Sequence, residues 1–315
     1  MGYFYLMTVA LLFSFGGTCV KMIKPYFDPS MITFLRFFVG VLWLLLLKTV
    51  KRQPFRSGFL PSLRLHWKWL VFGALSKFLA YMAENTALSV GVSYGNILVQ
   101  PVQMILMTIL GATVLHESMN RYKWGGVLLC VIGILLISWN GLTPSAFFGQ
   151  NLGLTLLYVL AGIGAGLFIF AQKKIADAFD MLDSNLCMFA FASLVSFLVP
   201  VSHGSVIPAS TPDIRCILAI CFYGFVTGIG FYLNAKAIPL VSFQMVAVLQ
   251  STMVFFSLAW GVLFFQEPIT GWIISGKLIP CSSFFQHISR MMDPMHAPVL
   301  YAQAVIPCSP WSESR

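Results

Sequence analysis

The chain has 315 residues, of which 58% are hydrophobic and only 9% charged; its net charge is +9 and its mean hydropathy +0.86. A soluble domain carries roughly a quarter charged residues, so a water-soluble enzyme is excluded, as is a nucleic-acid binder with a basic patch on a soluble surface. The bilayer is the solvent for most of these side chains, and within it only helices or closed barrels satisfy the backbone; the apolar runs are too long and too little alternating for barrel strands.

Nine runs read as membrane-spanning helices: 3–20, 31–47, 69–88, 92–115, 124–139, 152–171, 186–201, 216–233 and 241–265. Most reach the ~17–25 residues that cross the hydrocarbon layer. The first run lacks a basic leader and a small-residue cleavage site, so it reads as a span rather than a cleaved signal. Leu6 stands where a myristoylation signal needs Ser or Thr. A tenth run begins at Thr270 with Trp272-Ile273-Ile274-Ser275-Gly276, and Pro280, Pro294, Pro298, Pro307 and Pro310 then interrupt it. Basic residues fix the orientation. Lys48, Lys51, Arg52, Arg56, Arg64 and Lys68 surround the connection between spans two and three, and Arg121, Lys123, Lys173, Lys174 and Lys236 lie on the same side. They far outnumber Lys21, Lys24 and Arg215 opposite them, which places the N-terminus in the cytoplasm.

One passage occurs twice. Leu115-His116-Glu117-Ser118-Met119-Asn120, followed by Trp124-Gly125-Gly126, recurs as Phe265-Gln266-Glu267-Pro268-Ile269-Thr270, followed by Trp272 and Gly276. Asn85 to Ser93-Tyr94 answers Asn234 to Ser242-Phe243, and Gln100 answers Gln250. The chain is a tandem duplication, and five spans per copy turn the second copy upside down relative to the first, the plan on which many secondary transporters are built.

Ionisable residues inside hydrocarbon cost about 2.5–3.5 kcal/mol at a helix centre. Arg36, Lys77 and Glu84 bear that cost. Arg36 and Glu84 fall at similar depth on adjacent antiparallel helices, which predicts an ion pair. Lys77 lies seven residues before Glu84, on the same helix face and two turns deeper. The functional reading is a charged cavity wall in which Lys77 holds an anionic group; the structural reading is a pair that fixes packing, with Lys77 snorkelling. Asn96, Gln100 and Gln103 share one face of span four, and Gln250 is the duplicate of Gln100 near mid-depth. These amides are expected to line the same site or to bond helix to helix. Pro101 is expected to kink span four at the cavity. Tyr81, Tyr94, Tyr223, Tyr232 and Trp260 are aromatic candidates for lining a pocket; Tyr81, one turn from both Lys77 and Glu84, is the expected site member, and the others are expected to face lipid or to pack. Glu117 and Glu267 read as loop and cap residues, and Gly16, Gly17, Gly162, Gly164 and Gly166 as points of close helix approach. No metal, phosphate-loop or nucleophile motif occurs in the sequence, so neither catalytic residues nor cofactors are expected.

The doubled pattern of an apolar helix, a Glu, a turn and a Gly-rich helix resembles the drug/metabolite transporter superfamily, and within it the EamA-like transporters. Phe34-Leu35-Arg36-Phe37, Tyr81 to Leu88, Val99-Gln100-Pro101-Val102, Glu117 and Gly126 carry the likeness, with Asn234 to Ile238, Glu267 and Gly276 in the second copy. The resemblance implies an all-α polytopic bundle of two inverted five-helix repeats, at 1–140 and 150–279, around a central cavity. It implies a secondary transporter in the plasma membrane that moves small metabolites, amino acids or drugs, usually outward. Its partners would be a small-molecule substrate and the lipid bilayer, not nucleic acid. The polar tail 280–315 departs from the family, leaves the tenth helix incomplete and is expected on the outer side, where Cys281 and Cys308 would meet an oxidising compartment. The alternative is a truncated paralogue that does not transport.

Overall fold

In a computed structural model of the chain the structure describes residues 2–53, 59–114, 121–176, 178–237, 240 and 252–275. Among them there is no β-strand. The helices in chain order are α1 (Gly2–Ser14), α2 (Gly16–Ile23), α3 (Pro29–Val50), α4 (Phe59–Val90), α5 (Val99–Thr113), α6 (Arg121–Trp139), the single turn α7 (Pro144–Ala146), α8 (Leu152–Ile175), α9 (Met181–Ser202), α10 (Ile214–Phe225), α11 (Phe231–Ala237) and α12 (Met253–Phe265). The architecture is a polytopic membrane helix bundle. Six segments are long and apolar enough to cross a bilayer on their own: Gly2–Ile23, Pro29–Val50, Gly95–Thr113, Leu152–Ile175, Met181–Ser202 and Ile214–Ala237. Exposed Leu42, Leu45, Leu46, Leu194 and Leu198 turn outward from α3 and α9, as a lipid-facing surface requires.

Sequence and structure differ in instructive places. Helix α4 is longer than its apolar run: Arg64 and Lys68, expected in a connection, lie on its first turns and are exposed. At 1.5 Å per residue its 32 residues span about 48 Å, enough to cross the hydrocarbon and leave the polar start in water. Span four starts as a 3₁₀ turn, Gly95–Leu98, and becomes α-helical only at Val99. Pro101 therefore sits in the first turn of α5, where its missing N–H has no partner to lose, rather than at a kink. The tenth run begins as a helix over 271–275, and its continuation lies outside the described residues, as do Glu117, Gln250 and the tail.

Acidic residues start the later helices. The Asp180 carboxylate accepts a hydrogen bond from Met181 N at 3.0 Å at the head of α9, and that of Asp213 accepts from Cys216 N at 2.8 Å at the head of α10. Helix α4 packs along α8 and α9, and α3 along α9 and α10, so the two halves of the chain interleave through the centre. A Cβ on Gly164 would stand 2.6 Å from Ser76 O, so α8 approaches α4 there to a distance only glycine permits.

Far from Pro29, α3 ends in a buried ion pair, Lys48 with Asp183 on α9. Lys51 donates to the Tyr232 hydroxyl just beyond it. Breaking a buried pair costs about 3–5 kcal/mol, because the remaining charge is stranded, whereas replacing both partners by apolar residues is often neutral. Lys48→Met should therefore lower the thermal midpoint of the detergent-solubilised protein by several degrees. Lys48→Met with Asp183→Leu should recover most of that loss; a double variant no more stable than the single one would contradict the pairing.

Candidate functional site

Arg36 sits in the second turn of α3 and is buried. Its Nε donates to Thr227 Oγ1 at 2.9 Å and its Nη1 to the Tyr223 hydroxyl at 2.5 Å. Nη1 also lies 3.8 Å from Glu84 Oε2 on α4, the ion pair that helix depth predicted. The guanidinium stacks 3.3 Å from the centre of the Tyr81 ring and 4.2 Å from that of Tyr223. The hydrogen bonds then continue in one direction. Tyr223 donates to Asn85 Oδ1 at 2.8 Å, Asn85 Nδ2 to Thr33 Oγ1 at 2.9 Å, and Thr33 to Pro29 O at 2.8 Å. All of these side chains are buried, so each polar atom needs the partner it has.

Thr227 reaches Arg36 because of a backbone irregularity. Between α10 and α11 the chain takes a π-helical turn over Val226–Gly230, a feature that concentrates at functional sites. Thr227 Oγ1 also donates back to Tyr223 O at 3.0 Å, which leaves a lone pair for the guanidinium.

Lys77 lies two turns along α4 from Glu84 and is only 4% exposed, so it does not snorkel. Its Nζ is 4.1 Å from the Tyr81 ring centre, 4.4 Å from that of Phe231 and 5.1 Å from that of Phe168. The close approach at Gly164 brings Phe168, one turn further along α8, over the ammonium. Asn96 joins the opposite end of the cluster: its Nδ2 donates to Glu84 Oε1 at 3.4 Å, and its Oδ1 is buried with no donor among the described residues.

Five of the eight expected site residues, Arg36, Lys77, Tyr81, Glu84 and Asn96, thus gather in one cluster. Gln100 contacts the Met253 sulfur at 3.8 Å, and Gln103 is half-buried on α5. The 3₁₀ start of the span takes Asn96 out of the α-helical phase of the two glutamines. Trp260 donates to Ser14 Oγ and stacks on Phe15. Tyr223, Thr227, Asn85, Phe168 and Phe231 are the cluster members the sequence reading did not place in the site. Only Asn85, marked by the duplication, carried a signal that could have found it.

A second polar contact closes the end of the bundle nearest Pro29. Gln266 takes a left-handed conformation (φ 53°) at the end of α12, and Glu267 follows it out of the helix. Its carboxylate accepts from Ser93 N at 2.9 Å and from Ser93 Oγ at 2.6 Å, and lies 3.6 Å from Lys21 Nζ. Glu267 thus anchors the turn that precedes span four, in the other half of the chain. Tyr94, in the turn outside both helices, donates to Pro268 O at 2.6 Å. Burial, then the nearby Glu267 carboxylate, pushes its phenol up to about 12, so it stays a donor. Thr270 bonds Asn140 in the turn after α6. Two connections of the N-terminal half, and helix α2 through Lys21, are therefore held by one loop of the C-terminal half.

A family model described as the EamA-like transporter family matches residues 1–139 and 152–283. The Uncharacterized transporter YoaV of Bacillus subtilis (strain 168) is 25% identical over 289 residues, covering 90% of this chain and 94% of that protein. One solved crystal structure, named only as that of a protein, superposes with a TM-score of 0.64 at 17% identity, over 90% of this chain and 95% of that one. This likeness shows the shared fold.

Hydrogen bonds to a charged group contribute about 1.5–3 kcal/mol. Glu267→Ala and Ser93→Ala should each destabilise the protein by about that amount. A double-mutant cycle on thermal midpoints should show strong non-additivity; additive losses would mean that the two residues act separately.

Proposed function

We propose that this chain, which belongs to the EamA-like transporter family, is a secondary carrier that exports small metabolites, amino acids or drugs by alternating access. Its general role as a membrane transporter follows from that membership. The substrate site is assigned to Arg36, Lys77, Tyr81, Glu84 and Asn96 together with Gln100, Gln103 and Gln250, the last of which lies outside the described residues. The observation that carries this reading is the buried charged cluster itself. It lies between the halves, drawing Arg36, Lys77 and Glu84 from α3 and α4 and Tyr223, Thr227, Phe168 and Phe231 from α8, α10, α11 and the π-helical turn. Charges at this depth are costly in a bilayer and mark substrate pathways.

The duplication supplies the motion. In this proposal residues 1–140 and 150–279 are inverted repeats, the N-terminus faces the cytoplasm and the protein resides in the plasma membrane. Rocking of one repeat against the other opens the site to each side in turn. Polar contacts bridge the halves at both ends: Glu267 with Ser93 and Lys21 at one, Lys48 with Asp183 and Lys51 with Tyr232 at the other. Each cycle parts the contact at the side that opens, and the chemistry at the centre stays in place.

Counterflow in proteoliposomes tests the reading. Vesicles preloaded with one member of a panel of amino acids, organic acids, amines and nucleosides should accumulate the same compound in labelled form. Lys77→Ala should abolish that accumulation while membrane insertion stays normal. Absence of exchange for the whole panel would overturn the carrier assignment, and undiminished exchange by Lys77→Ala would overturn the site.

A further inference from the structure

We infer that the cargo is a small organic monoanion with an apolar, planar body, its carboxylate seated on Lys77 and its body against Tyr81, Phe168 and Phe231. The inference rests on the carrier reading and names the class of compound carried.

The charges of the central cluster do not balance. The chain contains ten acidic residues, of which only Glu84 and Asp183 lie within a described helix. Asp183 is taken by Lys48, at the end of α3 remote from the cluster. Glu84 is taken by Arg36. The central cluster therefore holds two basic side chains against one carboxylate, and among the described residues no carboxylate lies within ion-pair distance of Lys77. Burying an unpaired ammonium is among the most costly arrangements in a protein. Three aromatic faces offset part of that cost, but rings do not neutralise charge. One added negative charge makes the inventory balance.

The Tyr81 ring fixes where that charge must go. Tyr81 is shared: Arg36 stacks at 3.3 Å and Lys77 at 4.1 Å from the same ring centre. Two cations on one ring repel each other, and the repulsion is strong where water is excluded. Glu84 pairs with Arg36 and reaches Lys77 only at longer range. An anion at Lys77 relieves the repulsion there.

Three ring faces surround Nζ, and among the described residues no hydroxyl or amide hydrogen-bonds it, so the group next to the bound charge is best apolar and flat. Tyr81 belongs to α4, Phe168 to α8 and Phe231 to α11. The cargo would touch both halves of the chain, as a molecule whose binding is coupled to rocking must.

Phenylacetate, phenylacetamide and phenethylamine share a shape and carry charges of −1, 0 and +1 near neutral pH, and they make the test. Each competes against the exchange of whichever panel compound the carrier moves. Phenylacetate should inhibit at a concentration at least tenfold lower than the other two; Lys77→Arg should keep that preference and Lys77→Met should lose it. Equal inhibition by all three, or stronger inhibition by the amine, overturns the inference while leaving the carrier reading intact. A second measurement needs no transport. Phenylacetate, but not phenylacetamide, should raise the thermal midpoint of the purified wild-type protein, and Lys77→Met should abolish the shift. A wild type that exchanges nothing yet shows this shift would remove the carrier reading and keep the anion site; equal shifts in wild type and Lys77→Met, or none in either, would remove the anion site.

Discussion

The Arg36 guanidinium is the group around which the polar centre of the bundle is arranged. From α3 it reaches α4 and the α10 region at once, through Glu84, Tyr81, Tyr223 and Thr227. An always-charged side chain in hydrocarbon must find all its partners inside the protein. That requirement explains the neighbours. Two tyrosine faces cover its plane, a carboxylate faces its edge, and a π-helical turn brings a threonine to its Nε. The hydrogen-bond series from Tyr223 through Asn85 to Thr33 then ties the cluster to the first turn of α3.

Buried ion pairs are weak evidence for stability, because apolar residues of the same shape often serve as well. Among the described residues the two buried pairs differ in what surrounds them. Lys48 and Asp183 form a compact pair at the end of α3 whose charges cancel. The central cluster does not cancel within itself, and it extends across both halves. The first arrangement fixes helix packing. In the proposed reading the second has an unmet requirement, which an anionic cargo would meet.

Much of this was legible in the sequence. Run length alone located the helices, since a segment of about twenty apolar residues has little other use. Depth on antiparallel helices paired Arg36 with Glu84, and helical periodicity put Lys77 on the face of Glu84. The rest had no such signal. Tyr223, Phe168 and Phe231 are aromatic residues in a chain where 15% are aromatic, and they reach the site only through helix packing. Thr227 depends on a π-helical turn that the pattern of residues does not announce. The duplication drew attention to Glu267 as a repeated motif, yet its partners, Ser93 and Lys21, are set by which loops meet at the end of the bundle. Span four was misread in phase because hydropathy does not separate a 3₁₀ turn from an α-helix.

The central claim is that the buried charges serve transport rather than folding. The most direct test replaces the central pair as a unit, with Arg36→Met and Glu84→Leu in one protein, and measures thermal midpoint and counterflow on the same preparation. The account predicts a midpoint close to that of the wild type and exchange reduced to the level of empty vesicles. A double variant that folds and exchanges at the wild-type rate would contradict it.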